Sequence, residues 1–372
     1  MLEIRKVETK NDLKRFIDFP HDLYKNDPNY VPELFIAQKD LLSPKHPFFL
    51  HSKADLFLAK KEEKIVGRIT AIRNNNYIEY TGKNIGFFGF FDTIDDESVS
   101  SALLRKACDW VKAEGLEGIM GPESYSTNET CGALIEGFNI PPQVMMTYNK
   151  PYYPEHIEAF GFKKEMDLLA YKFIQSGFTD RLKRGAELVR QRLERNAITI
   201  RKFNMKKMDE EVEKLKLIYN SAWEKNWGFV PMTDEEFVHA AKDLKQIVDP
   251  DFLLIAEKDG EPIGYSLTLP NFNEVLIKVK RGRLLPTGIF KILLNKNKIK
   301  GIRIITLGIL EQYRKLGIDA YFYFKAYEEA IKKGITYGEA SWVLETNEMM
   351  NRAIVNINGE LYKKYRLYRM DF

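Results

Sequence analysis

The sequence predicts an α/β (α+β) chain of two similar domains, each a mixed, largely antiparallel sheet flanked by helices. Three observations predict it. The order strand, helix, hairpin, strand, helix, strand, closing helix and strand runs through the first half and again through the second, a repeat of about 170 residues, far too long for a solenoid unit. The central helix of each half stops at a glycine, in "WVKAEG" and in "AIKKG", at matching places. A chain of 372 residues with 44% hydrophobic and 13% aromatic residues has the apolar surface for more than one core.

In the first half, Leu2 to Val7 reads as a short strand and Lys10 to Phe19 as a polar helix. Prolines 28, 32, 44 and 47 make the stretch Tyr24 to Leu50 irregular, with short helical pieces. "DLFLAKKEEKIVGRITAIRN" reads as a hairpin with a charged turn at Lys61 to Lys64. "NIGFFGFFDTI" is a strand, "DESVSSALLRKACDWVKAEG" a helix with Val99, Leu103, Ala107, Trp110 and Val111 at helical spacing, and "LEGIMGP" a buried strand. The second half answers with the strand "AITIRKF", the helix "MDEEVEKLKLIYNSAWEKNW", a hairpin turning at Lys258-Asp259-Gly260, the strand "IRIITLGIL", the helix "GIDAYFYFKAYEEAIKKG" and the strand "TYGEASWVLETN". The domains are drawn at 1–175 and 196–372, joined by an exposed, basic helical linker at 176–195.

Charge excludes a dedicated nucleic-acid binder, because 57 basic residues stand against 53 acidic ones, a net +4. Cys108 and Cys131 are too few for a disulfide framework or a cysteine-rich metal site. The five histidines show no ligating spacing, so no metal is expected. The amino terminus has no apolar signal core, and no apolar run approaches the roughly 20 residues that span a bilayer. The expectation is a soluble, cytoplasmic protein of unknown oligomeric state.

The loop with the most chemistry is Arg314-Lys315-Leu316-Gly317-Ile318-Asp319, between a strand and a helix. The first amides of a helix lack internal acceptors, and the dipole adds positive charge there. An anion at that mouth gains several N–H donors, and Gly317 lets the backbone come close. The same features also make an ordinary strand-to-helix turn.

With the strand–hairpin–strand order before it, this loop resembles the R-x-x-G-x-G/A signature of the GNAT acyl-CoA N-acyltransferase superfamily. Asp319 departs from the small residue usual in its place. The likeness covers 196–372 well and 1–175 more loosely. It implies an acyl-CoA co-substrate, acetyl-CoA or another, with its pyrophosphate at Arg314, Lys315, Leu316, Gly317 and Ile318, further contacts from Leu307, Ile309 and Asn347, and a small-molecule or protein amine as acceptor. The equivalent turn of the first half, Phe91 to Glu97, has four carboxylates, no glycine and no base, so that domain is expected to lack coenzyme.

Acylation of an amine needs a base for the ammonium proton and a proton for the leaving thiolate. The superfamily's tyrosine is replaced here by Val355, leaving Tyr362 and Tyr365 as substitute acids or packing residues, and Glu345, with Glu339 on the same strand, as base or surface carboxylate. Trp223, Trp227 and Trp342 either wall a substrate or pack the core. Basic and apolar residues interleave through 278–300, which fits peripheral membrane contact, a cover for an acyl pocket, or packing between domains. The expected function is N-acyl transfer in the C-terminal domain. The alternatives are a catalytically inactive acyl-CoA- or ligand-binding module and an aminoacyl transferase of the peptidoglycan-bridge type.

Overall fold

In a computed structural model that describes residues 1–174, 179–224 and 226–372, thirteen strands and twelve α-helices follow the predicted alternation. The first part of the chain runs β1 (Leu2–Lys6), α1 (Lys10–Leu23), α2 (Phe35–Leu41), β2 (Lys53–Lys61), β3 (Lys64–Arg73), α3 (Asn75–Thr81), β4 (Ile85–Thr93), α4 (Glu97–Ala113), β5 (Gly118–Gly121), β6 (Ala133–Glu136), α5 (Tyr153–Phe160) and β7 (Lys163–Ile174). The second runs α6 (Asp180–Arg195), β8 (Ile198–Lys202), α7 (Met208–Ala222), α8 (Asp234–Leu244), β9 (Leu253–Lys258), β10 (Glu261–Pro270), α9 (Asn273–Leu276), α10 (Gly288–Asn295), β11 (Gly301–Ile309), α11 (Ile318–Lys332), β12 (Tyr337–Leu344), α12 (Glu348–Asn356) and β13 (Glu360–Asp371).

The chain divides into two compact units. The first holds Met1–Leu168, Val275–Lys296 and Lys363–Phe372, and the second Leu169–Glu274 and Asn297–Tyr362. Residues 275–296 and 363–372 thus pack with the first unit, although they follow the whole of the second unit's hairpin in sequence. Residues 176–178 of the expected linker lie outside the described residues. The rest of that linker is α6, whose buried Leu193 and half-buried Val189 join the second unit's core.

In the first unit the sheet order is β1-β2-β3-β4-β5, every neighbouring pair antiparallel except β4 and β5. The end of β13 lies antiparallel against β5, with Tyr368 opposite Gly121. The second unit repeats the plan as β8-β9-β10-β11-β12, again parallel only at its last pair. The first strand of each parallel pair carries one extra residue: β4 slips between the Arg68–Asp92 and Thr70–Gly89 pairs, and β11 between Leu267–Thr306 and Thr268–Ile304. The two units are repeats in strand order, sense and bulge position.

Each core lies between the sheet and its crossover helix. Phe57, Ile69 and Phe88 pack against Leu103, Leu104 and Val111 of α4 in the first unit, and Ile302 against Ala326 and Ala330 of α11 in the second. Each such large side chain contributes about 1.5–3 kcal/mol by leaving water. Helix α1 begins with a capping box, Asp12 N donating to Thr9 Oγ1 at 3.1 Å, and runs past Phe19 to Leu23 with Pro20 inside. Phe16, Ile17, Phe19 and Pro20 are all buried, so packing outweighs the one amide bond the proline removes. Cys108 and Cys131 are buried and form no disulfide. Among the described residues no helix is long and apolar enough to cross a membrane.

Candidate active site

The mouth of α11 is built by backbone conformation. Lys315 and Gly317 both have positive φ, 74° and 88°, and Gly317 is the N-cap, with no side chain among the described residues capping the first turn. Those amides therefore face outward as donors. Gly317 is required twice over: its φ is left-handed, and a Cβ there would sit 3.0 Å from Val189 Cγ1 of α6. Arg314 does something the sequence did not reveal. Its Nε donates to Ile309 O at 3.1 Å and its Nη2 to Ala222 O at 2.8 Å, tying the end of β11 to the end of α7. Lys315 is the exposed charge at the mouth. Asp319 lies one turn before Tyr323, whose hydroxyl is raised above its usual range by burial and then by Asp319, and which reaches Met350 Sδ of α12 at 3.5 Å.

The first unit treats the same position differently. Asp96 caps α4, its Oδ1 accepting from Ser98 N at 3.0 Å, so that helix satisfies its own mouth with a carboxylate.

Behind the α11 mouth, β11 and β12 pair in parallel from Gly301–Tyr337 to Ile304–Ala340 and then part, although β11 runs on to Ile309 and β12 to Leu344. The unpaired stretch between them is a cleft in the sheet's hydrogen bonding. Leu307, Ile309, Leu316 and Ile318 point into the core shared with α6, so these predicted coenzyme contacts offer the cleft their backbone rather than their side chains.

Side chains alternate along a strand. Ile302 faces α11, which places Arg303, and its register partner Glu339, on the opposite face. There the structure assembles a buried polar chain. Arg303 Nε donates to Ser341 Oγ at 2.8 Å and lies 3.7 Å from Glu339 Oε1; Ser341 Oγ donates to Glu339 Oε1; and Tyr362 Oη donates to Glu339 Oε2. Glu339 is 1% exposed, Arg303 4%, and Tyr362 half-buried. A carboxylate buried this deeply survives only because a guanidinium and two hydroxyls surround it. Arg303 and Ser341 were missed from sequence. The available signal was one charged residue in the apolar run "GIRIITLGI" and a polar pair two apart in "GEASWVL", side chains that must share one face of neighbouring strands.

Other predicted residues take plainer positions. Glu345 is half-buried where β12 ends, and its carbonyl accepts from Asn351 Nδ2 at 3.3 Å. Asn347 caps α12, its Oδ1 accepting from Met350 N at 3.1 Å. Trp342 is half-buried on β12. Trp223 closes α7 and lies on Gly308 of β11, with Tyr265 5.8 Å away, beside the Arg314 tie; Trp227 is half-buried in the turn that follows. Tyr365 belongs to the first unit and is fully buried there, its register partner being Leu134.

The first unit's own cleft is filled. β4 and β5 part after Phe87–Met120, and the chain leaving β5 folds back across the gap. Glu123 N donates to Phe88 O at 2.7 Å, Asn74 Nδ2 donates to Tyr125 O at 3.1 Å, and the Tyr125 ring stacks on Phe48 at 4.3 Å. Gly89 is glycine because a Cβ there would land on the Glu123 carbonyl. Gly89→Ala is therefore expected to push this loop out, at a cost of about 1–3 kcal/mol; an unchanged urea midpoint would mean that the loop does not fill the gap. The Glu123 carboxyl is pushed up to about 8 by burial, and its Oε2 has no hydrogen-bond partner among the described residues.

No protein-family model matches the chain. Over nearly its whole length it is similar to two bacterial proteins. It is 40% identical to Protein YghO of Escherichia coli across 98% of this chain and 94% of that one, and 37% identical to the bacterial ceramide synthase of Caulobacter vibrioides across 99% and 97%. Among solved structures, a tandem GNAT protein from the clavulanic acid biosynthesis pathway covers 100% of this chain with 98% of its own, at 10% identity and a TM-score of 0.59, and a GCN5-related N-acetyltransferase from Sphaerobacter thermophilus gives a TM-score of 0.53 at 13% identity, with 100% and 95% covered. With two repeats of one plan, a bulge and a parting parallel pair in each, and full-length relatives at this identity, the chain belongs to the family of YghO and the bacterial ceramide synthase, and it has the fold of tandem GNAT proteins.

Proposed function

We propose that this protein is an acyl-CoA-dependent N-acyltransferase that works in its second unit, and that its acceptor is a long-chain amino alcohol. The observation that carries the first part is the contrast between the two helix mouths: α11 has Gly317 and outward amides at the open end of a cleft, and α4 is closed by its own Asp96 with its cleft filled. The second part rests on the name of the Caulobacter relative, since a ceramide is an N-acylated long-chain amino alcohol.

Acyl-CoA supplies an acyl group activated as a thioester. The residues present suit it: the amides from Gly317 onward and the Lys315 ammonium would hold the pyrophosphate, and the β11 backbone would line the arm. For the chemistry, the arrangement of Tyr362 favours a base over an acid. Its proton already points at Glu339, so its lone pairs are the part offered to an incoming ammonium. The amine's proton passes to Tyr362 as the Tyr362 proton passes to Glu339. The C–N bond forms, the C–S bond breaks, and the thiolate, whose conjugate acid has a pKa near 8.5, leaves as an anion and takes, through water, the second proton that the nitrogen gives up as it becomes an amide. Glu345, at the exit of β12, attracts the ammonium. Trp223 and Trp227 line the acceptor side, and Trp342 lines the cleft.

The test is coenzyme A protection against thermal unfolding. At a hundred times Kd a ligand adds about 2.7 kcal/mol. Wild type is expected to gain this, Lys315→Glu to lose most of it, and Asp95→Ala to keep it. Equal protection of wild type and Lys315→Glu overturns the assignment of the coenzyme to this mouth.

A further inference from the structure

We propose that the segment Val275–Lys296 of the first unit is a docking face for an anionic membrane surface. It interrupts the second half of the sequence between β10 and β11, yet it packs with the first unit. Its attachment is firm. Val275 and Val279 are buried, Gly282 fits against the backbone of Glu33, and Arg283 Nη2 donates to Asp18 Oδ1 at 2.7 Å, its guanidinium lying 3.4 Å from the Phe35 ring centre. Arg281 pairs with Asp22 of α1.

What this anchored segment turns outward is apolar. Leu285 is 78% exposed, Phe290 61%, Leu293 54% and Leu294 71%, with Ile289 beside them. On α10, positions 289, 290, 293 and 294 recur at helical spacing and form one stripe. Folding does not use these side chains, and contiguous apolar exposure of this kind marks an interaction surface.

Charge selects the occupant. Residues 275–296 contain six Lys or Arg and no Asp or Glu. Arg281 and Arg283 are neutralised by Asp22 and Asp18, whereas among the described residues Lys278 meets only Asn295 Oδ1 and Lys291 only the Lys278 carbonyl, neutral partners that leave both charges in place. Lys280 and Lys296 are exposed. A short apolar stripe set among uncompensated ammonium groups matches a bilayer interface with anionic headgroups, where apolar side chains enter the acyl boundary and lysines stay at the phosphates.

The inference is independent of the transferase reading, because it is read without any activity. The full chain is sedimented with vesicles of phosphatidylcholine alone and with vesicles containing a third of phosphatidylglycerol. Binding to the anionic vesicles is expected, weakened at high salt. Phe290→Ser with Leu294→Ser is expected to lower the partition about tenfold or more, and Lys278→Glu with Lys280→Glu to do the same only on anionic vesicles. All four positions are exposed, so the variants should keep the wild-type melting temperature. Wild type that sediments equally with both vesicles, or with neither, overturns the proposal. So does a wild-type dimer in light scattering that the Phe290→Ser, Leu294→Ser variant converts to monomer, which would assign the face to a second copy of the chain.

Discussion

Tyr362→Phe is expected to lower thiol release from acyl-CoA by about 10²–10⁴ with a long-chain amino alcohol as acceptor, the range that a positioned proton-transfer group contributes. The change removes one hydroxyl from a half-buried ring and leaves Glu339 with Ser341 and Arg303, so the structural cost is about one hydrogen bond, 0.5–1.5 kcal/mol. Glu339→Gln is the harsher variant. It strands Arg303, 4% exposed, without its carboxylate, and breaking a buried pair from one side costs about 3–5 kcal/mol. Loss of rate in Glu339→Gln alone would therefore reflect folding as much as chemistry, and Tyr362→Phe decides the matter. Coenzyme A protection separates the two possibilities further, since Tyr362→Phe should bind coenzyme as wild type does. A Tyr362→Phe protein that turns over at the wild-type rate ends the relay proposal. If Glu345→Gln then loses the rate instead, the carboxylate at the strand exit is the base.

The second large effect is on stability and concerns the first unit. Glu123 ionises near 4.5 in an unfolded chain and, with burial opposing its charge, at about 8 in the fold. Between these values the folded state holds the proton that the unfolded state has released. Stability therefore falls as pH rises: the loss starts above about 4.5, grows by about 1.4 kcal/mol per pH unit, and is complete above about 8, where it amounts to several kcal/mol. Glu123→Gln keeps the shape of the protonated acid and removes the titration. The variant should match wild type at about pH 5 and be markedly more stable at about pH 9. Hydrogen exchange of the β4 and β5 amides is the proper probe, because it reports the first unit alone. Protection that falls equally with pH in both proteins would show that Glu123 is not the group responsible.

Much of this molecule follows from local sequence. The stop at Gly115, the hairpin turn at Lys258-Asp259-Gly260 and the Gly317 mouth are all decided within a few residues by φ preference, cap chemistry and periodicity, and each stands where the sequence reading puts it. So does the contrast between an acidic turn before α4 and a basic, glycine-bearing one before α11, because helix-end electrostatics acts over a single turn. The repeat itself was legible because element order is the sum of such local choices.

Tertiary structure decided the rest. No local signal sends residues 363–372 to β5 of the first unit, or returns 275–296 to α1, because a strand's partner is chosen by burial and register over hundreds of residues. Arg314 reads from sequence as a phosphate ligand, yet its guanidinium is spent on the carbonyls of Ile309 and Ala222, which only the folded α7 brings within reach. The group of Arg303, Glu339, Ser341 and Tyr362 exists because β11 and β12 pair at one register and β13 brings the Tyr362 hydroxyl to the same carboxylate: four polar residues scattered over 60 positions become one chain of hydrogen bonds only when pairing puts Arg303 opposite Glu339. A one-residue slip of β12 would turn Glu339 and Ser341 to the other face, away from Arg303, so the chemistry of this site is a property of the sheet.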